Sequence, residues 1–398
     1  MESSKMNSNI KPKDLNVLLE QVKLWRRHLH MFPEPSFEEH ATMEFVCEVL
    51  AQNGISFQKG VANTGVVALI SAAHHSENQA CLALRADLDA LPIQEANEVS
   101  YKSQVPGWMH ACGHDVHTSI LLGTAVLLHQ HREQLPRPIK LIFQPGEEQN
   151  PGGASLMIKA GVLENPKVEE LVALHVYPEM EVGKVGLRSG LYMASSDEIH
   201  VEIIGVGGHG ALPDRFINPI DVGMAWMQSC KQLFEERCPS AVPQVLTFGR
   251  FEALGSTNVV SSIATIKGTF RTMDETWRSQ AKAILQAQAL DLSKKMNAQI
   301  NLTIGEGYPY LKNDVELTQK VQAILGKELG NSNVEELALR MTAEDFAFYS
   351  HHRPVCFFRL GTGNSSKGLT HAVHHPQFDI DENALEVGVR SMFAIAVS

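Results

Sequence analysis

Apolar side chains recur every three or four residues from Leu15 to Leu50 (Leu18, Leu19, Val22, Leu24 and Trp25, then Met43, Phe45, Val46 and Leu50), interrupted at Phe32-Pro33-Glu34-Pro35. That spacing lines one face of a helix and the prolines end it, so two helices joined by a turn are expected. The polar residues 1–14 ahead of them read as a frayed tail. The period then shortens. Gly65–Ile70 and Cys81–Arg85 read as strands, Ile120–Gln130 as a helix and Ile139–Phe143 as a further strand. Strands alternating with helices predict an α/β layer whose ligands gather where strands end.

The pattern changes near residue 190. His200–Gly205 alternates polar and apolar positions, as a half-exposed strand does. A long helical stretch, Pro219–Phe234, is followed by strand-like Gln244–Gly249 and Ser261–Arg271. A second long helix over Trp277–Met296 and a strand over Gln299–Ile304 complete the series. The order β-α-β-β-α-β predicts an antiparallel sheet with both helices on one face. After Gly307-Tyr308-Pro309 the earlier alternation returns. Two domains are therefore expected: a discontinuous one of residues 1–190 and 305–398, and an inserted α+β domain of residues 191–304.

Length agrees with that division, since 398 residues exceed the usual size of one domain. Charge mainly excludes. Thirty-four Lys+Arg against 45 Asp+Glu leave a net −11, without the basic excess of a nucleic-acid binder. No apolar run reaches the roughly 18 residues of a membrane span. The N-terminus lacks the apolar core of a secretory signal, so a cytoplasmic protein is expected. The six cysteines stand singly without a CxxC pair, unlike a disulfide scaffold, and five read as core or inert thiols. Histidine is the outlier, at 18.

Five stretches could supply metal ligands. His110-Ala111-Cys112-Gly113-His114-Asp115-Val116-His117 is the richest, because thiolate and imidazole suit zinc and similar ions. Read as a helix start, it would stack His110, His114 and His117 on one face. Gln144-Pro145-Gly146-Glu147-Glu148 follows a strand. Adjacent carboxylates diverge, so one could hold metal while the other reaches a water as general base. His175 reads as closing a strand, and His371-Ala372-Val373-His374-His375-Pro376 lies near the C-terminus. Arg85-Ala86-Asp87-Leu88-Asp89 ends a strand in two aspartates suited to buttressing a ligand.

Each stretch alone has an ordinary reading. A single histidine is more often a hydrogen-bonded polar residue than a ligand, and a Glu-Glu pair is more often solvated. Their joint occurrence where strands hand over to loops favours chemistry. A Cys-His protease would use Cys112, but histidines two positions away on both sides suit ligation better. Gly205-Val206-Gly207-Gly208-His209-Gly210 lacks the Gly-Lys-Ser/Thr ending of a phosphate loop. It leaves His209, on a flexible loop, as a candidate substrate contact.

Further motifs run in order along the chain: Arg26-Arg27-His28-Leu29-His30, Leu84–Ile93, Met109–His117, Gln144–Glu148, Leu174–Pro178, Gly205–Pro213, Asn258–Val260, Gly268–Thr272, Ala343–Phe346 and His374–Phe378. Nearly end to end, they resemble the metal-dependent aminoacylase and carboxypeptidase family. The matching branch holds hippurate hydrolase, N-acetyl-amino-acid deacetylases and plant hydrolases of indoleacetyl-amino-acid conjugates. The resemblance implies an α/β fold: a mixed-sheet di-metal catalytic domain with an inserted lid and dimerisation domain. It implies two divalent ions, zinc or manganese with cobalt or nickel compatible, held by Cys112, His114, Glu148, His175 and His374, with Cys112 bridging. Glu147 would be general base and acid, and Asp87 would stand behind the ligands.

His209 and Asn258 would hold substrate, the histidine across a homodimer interface, and Arg271 would meet a substrate carboxylate. The implied reaction is hydrolysis of N-acyl amino acids (acetyl, benzoyl or indoleacetyl), a small-molecule reaction without nucleic acid or membrane. The alternatives are a dipeptidase or carboxypeptidase, and a non-catalytic binding relative, which would lack Glu147 or a ligand. Two departures stand out. Branch members usually have His and Asp where this chain has Asp214 and Asn218, and Ala where it has Gly146.

Overall fold

Every side chain of Cys81–Asp87, Ile139–Gln144 and Val355–Gly363 is buried, as in strands covered on both faces. These strands belong to a computed structural model that describes residues 12–76 and 79–398. The chain divides into two compact units. One runs through Gly190 and adds Lys312–Ala338 and Phe348–Ser398; the other is Leu191–Leu311 with Leu339–Ala347. Residues 305–311 and 339–347, assigned by pattern to the first domain, thus stay with the second unit.

The first unit begins with α1 (Pro12–Met31), α2 (His40–Gln52), β1 (Phe57–Val61), β2 (Gly65–Ile70) and β3 (Cys81–Asp87). It continues with α3 (His114–Gln130), β4 (Ile139–Gln144), α4 (Gly153–Lys159), β5 (Val168–Glu181) and β6 (Val185–Leu187). The chain leaves along β7 (Gly190–Met193) for β8 (Asp197–Ile204), β9 (Gly208–His209), α5 (Pro219–Arg237), β10 (Gln244–Glu252) and β11 (Val259–Val260). After β12 (Ile263–Thr272), α6 (Glu275–Lys295) and β13 (Gln299–Gly305), it returns along β14 (Leu311–Asn313). Then come α7 (Val315–Leu329), β15 (Val334–Glu336), α8 (Ala347–Ser350), β16 (Val355–Gly363) and α9 (Ala384–Ala396).

The eight-stranded sheet of the first unit has the order β1-β2-β4-β3-β5-β16-β6-β15. It is mixed: β3 runs parallel to β4 and β5, and β5 to β16, while β2 opposes both β1 and β4. Helix α3 is buried from His114 to Leu128 and packs against α1, α9 and β3. It starts six residues earlier than its apolar run indicates. Polar side chains such as Ser119 and Thr124 join the buried helix by donating to carbonyls one turn back. His110 precedes the helix and so shares no face with His114 and His117. His175 sits inside β5 rather than closing a strand, because that strand runs on to Glu181. Of the residues read as a frayed tail, 1–11 lie outside the described residues, and α1 already begins at Pro12.

The second unit is an antiparallel sheet, β10-β12-β8-β13, with α5 and α6 packed on it. Its core includes Ile199, Val201, Ile203, Trp226, Phe234, Phe270, Trp277 and Leu285. Asn218 caps α5, accepting the Ile220 N–H, and Asp274 caps α6, accepting that of Trp277. All six cysteines are free thiols, and only Cys238 is not fully buried.

Candidate metal centre

Five segments of the first unit converge. Buried β3 ends in Asp87, with Asp89 two residues on. The turn into α3 carries Cys112 and His114, and Gly113 between them has φ 81°. A Cβ at Gly113 would lie 2.6 Å from Val176 Cγ2, so glycine lets this turn lie against β5. The loop after β4 carries Glu147 and Glu148, and β5 carries His175. His374, exposed and at φ 66°, is fixed by its N–H to Ala111 O at 2.8 Å.

Cys112, His114 and His175 each offer a ligand atom within 4.8 Å of the others, and so do Cys112, Glu148 and His374. Cys112 is common to both groups. A third group, His114, Glu147 and Glu148, sets Glu147 beside them. His175 Nδ1 lies 2.8 Å from Val176 O, which can only accept, so Nδ1 carries the hydrogen. Its Nε2, 3.4 Å from Cys112 Sγ, then presents a lone pair. His114 Nδ1 faces Asp89 Oδ1 at 3.2 Å, while its Nε2 is buried without a hydrogen-bond partner. Glu148 Oε1 lies 3.2 Å from His374 Nε2.

Electrostatics also favours a cation. Burial, reinforced by Glu148, Glu147 and Asp87, pushes the Cys112 thiol well above its ordinary range. Burial alone would lower His114, but Asp87, Asp89 and Glu148 outweigh it and push the imidazole up to about 10. Burial, then Arg359 and His117, hold His175 well below the usual imidazole range, so it is neutral. Thiol, carboxylates, a neutral imidazole and an orphaned Nε2 form a donor set that divalent ions would neutralise.

The two aspartates divide their work. Asp87 accepts from His117 Nδ1 at 2.6 Å and from Arg85 at 2.6 Å, and reaches His114 Nε2 only at 3.8 Å. His117 Nε2 in turn accepts the Val176 N–H, so both of its ring nitrogens are engaged. Asp89 buttresses His114 and also accepts the N–H groups of Glu147 at 3.0 Å and Glu148 at 2.9 Å. That second role was invisible in sequence, where only the pairing of aspartates at a strand end marked Asp89. Gly146 has φ 57°, and a Cβ there would lie 2.3 Å from Phe37 Cε1. The ring of Phe37 thus occupies the room that alanine would need.

The remaining candidates lie in the second unit. His209 belongs to a two-residue ladder, β9 against β11, rather than a free loop. Gly210 N–H donates to Asn258 O at 2.9 Å, so His209 and Asn258 are exposed neighbours just beyond the Ile204–Ile263 end of β8 and β12. Arg271 lies near the other end of β12, eight residues from Ile263, roughly 26 Å of extended strand. The structure brings His209 and Asn258 together but not Arg271 with them.

Residues 83–398 match Peptidase family M20/M25/M40. IAA-amino acid hydrolase ILR1-like 4 of Arabidopsis thaliana is 38% identical over 367 residues, 91% of this chain and 82% of that protein. N-acetyl-L-cysteine deacetylase of Bacillus subtilis is 37% identical over 374 residues, 94% and 87% of the two chains. Among solved structures, the YXEP protein of Bacillus subtilis, described as a dinuclear metal binding peptidase, superposes with a TM-score of 0.78 at 30% identity. That match covers 96% of this chain and 98% of the other. Sequence and fold agree across both units, and the chain belongs to Peptidase family M20/M25/M40.

Proposed function

We propose that this chain is a metal-dependent amidohydrolase that cleaves N-acyl amino acids to a carboxylic acid and a free amino acid. The observation that carries the reading is Cys112, shared by two ligand groups with Glu147 beside Glu148. Cys112, His114 and His175 would hold one ion and Cys112, Glu148 and His374 a second, with zinc or manganese suited to thiolate, imidazole and carboxylate. When bound, such a pair supplies Lewis acidity to the amide carbonyl and acidifies water.

The chain's own residues do the rest. Glu147, the carboxylate not needed as a ligand, takes a proton from the attacking water and delivers it to the leaving amine. Asp89 and the Val176 carbonyl keep His114 and His175 in the tautomers that present Nε2. His209 Nδ1 accepts the Ala211 N–H, so a neutral ring carries its hydrogen on Nε2, free to donate to a substrate oxygen. Arg271 would pair with the substrate carboxylate in the two-pronged geometry of guanidinium.

A small substrate cannot span the length of β12, so Arg271 and the His209–Asn258 pair would serve one site only if two copies share it. This supports a homodimer in which the partner's His209 completes the site. Relatives named for IAA-amino acids and N-acetyl-L-cysteine support an acyl substrate. The peptidase description of the family keeps dipeptides as the second reading. Among the described residues no helix is long and apolar enough to cross a membrane.

The test is purified protein loaded with zinc or manganese, assayed for bound metal, for oligomeric size and for amine release. The substrates are N-acetyl, N-benzoyl and N-indoleacetyl amino acids beside dipeptides. Two ions per chain with hydrolysis of an acyl amino acid is the expected result. Hydrolysis of dipeptides alone would transfer the reading to a peptidase, and none with any metal would end it.

A further inference from the structure

The turn between α1 and α2 has no part in this reading, yet it meets the scaffold of the centre through several residues. Ser36 Oγ donates to Asp89 Oδ2 at 2.6 Å. Glu39, fully buried, accepts at Oε1 the N–H groups of Gly146 at 2.7 Å and Phe37 at 2.9 Å, while Thr64 Oγ1 donates to its Oε2. Asp89 accepts the next two amides, those of Glu147 and Glu148. Three successive N–H groups of the loop are therefore each held by a buried carboxylate, two by Asp89 and the first by Glu39. Gly146 is the residue about which this loop could swivel, since glycine alone moves easily in and out of its left-handed conformation. The Glu39 bond and the Phe37 ring both bear on that residue.

We propose that Glu39 is a positioning residue for the general base, fixing through the Gly146 N–H the direction in which Glu147 points. The proposal rests on Glu147 being that base. Glu148 keeps its own amide bond to Asp89, so metal binding should survive the loss of Glu39. A base displaced by about 1 Å can cost on the order of 10²-fold in rate. Burial beside Asp89 pushes Glu39 up to about 7, which accords with an Oε1 that accepts both amides whether or not Oε2 is protonated.

The experiment measures kcat, KM and bound metal for Glu39→Ala, Glu39→Gln, Glu147→Gln and the double variant Glu39→Ala/Glu147→Gln. The substrate is whichever acyl amino acid or dipeptide the panel shows to be cleaved. Glu39→Ala should lower kcat by about 10- to 100-fold, with KM and metal content within about twofold of the parent. Glutamine keeps one carbonyl oxygen for both amides and can turn its NH2 to the Thr64 hydroxyl, so Glu39→Gln should stay within about threefold. In the Glu147→Gln background, Glu39→Ala should change nothing further, because its effect runs through Glu147. Native kcat in Glu39→Ala, loss of metal with the activity, or the same factor in both backgrounds would overturn the proposal. A Glu147→Gln enzyme running near the native rate is the separate result that removes the base itself. Should Glu39→Ala not fold, Glu39→Asp draws the oxygen back by one methylene; a native kcat there would equally end the proposal.

Discussion

His175 and His209 are both histidines on strands, but they are held in contrasting ways. His175 is 6% exposed on β5, between β3 and β16, with Nδ1 fixed on a carbonyl and Nε2 turned toward Cys112. His209 is exposed on a ladder of two residues, steadied by the Ala211 N–H. In the first unit the chemistry-bearing groups other than the exposed His374 are placed by interior backbone and by buried partners, so their geometry exists before any ligand arrives. In the second unit Arg271 lies half-buried on the interior strand β12, whereas His209 and Asn258 stand exposed at a two-residue ladder, where substrate or a second chain would order them further. The first arrangement suits metal and a proton-moving carboxylate, and the second suits recognition.

The largest effect that would test this contrast is Glu147→Gln. It should keep two ions per chain while kcat falls by about 10² to 10⁴, the usual weight of general acid–base catalysis. Metal analysis beside steady-state kinetics checks it. Loss of the ions with the rate would show that Glu147 belongs to the ligand set and not beside it.

Next in size is a pair of glycine substitutions, one in each unit. Gly113→Ala forces a methyl to 2.6 Å from Val176 at a φ of 81°. It should cost on the order of 2–4 kcal/mol, from steric overlap and a strained backbone together. A Cβ at Gly249 on β10 would meet nothing within 4 Å, so Gly249→Ala should stay within about 0.5 kcal/mol. Denaturant unfolding of both variants reads the difference. Equal costs would mean that the tight approach of the α3 turn to β5 is not what holds the centre in shape.

Much of this arrangement is legible in the sequence. The apolar periods mark the helices and strands of both units, because each element must bury a face and the spacing records which. The ligand candidates are legible as residue types: Cys112, His114, Glu148 and His374 stand in short polar runs beside apolar ones, where a folded chain exposes or joins its chemistry. His175 is legible as a lone histidine read as closing a strand, a weaker signal than the clustered motifs, and β5 runs on past it to Glu181. What sequence could not supply is the partner of each group. Asp89 reaches backbone amides 58 and 59 residues away, and Glu39 reaches one 107 residues away. Contacts that close such loops leave no periodic trace, since any acceptor of the right length would serve. The start of α3 escaped for a related reason: its first turn is polar, and burial is repaid by hydrogen bonds that no hydrophobicity count registers.

A smaller effect is expected at His209. His209→Ala should raise KM by about tenfold, near the worth of one hydrogen bond to substrate, with bound metal unchanged. A fall in metal content would contradict the division of work between the units. An unchanged KM would remove His209 from the substrate site while leaving the centre of the first unit untouched.

The smallest effect concerns Asn218, where the resemblance implies an aspartate. Its Oδ1 accepts the Ile220 N–H at 3.1 Å and so closes the first turn of α5, with Pro219 at the first helical position. Asparagine and aspartate cap helices about equally well, so Asn218→Asp should shift stability by only a few tenths of a kcal/mol. Asn218→Ala leaves that N–H without its acceptor and should cost about 1 kcal/mol. Because the cap acts only on a helix of the second unit, neither change should alter bound metal or the kcat of the first unit's chemistry. Thermal unfolding with parallel metal analysis reads both. If Asn218→Asp instead changed KM severalfold at constant stability, position 218 would be acting on substrate recognition, and the departure from aspartate would bear on specificity rather than on the helix it caps.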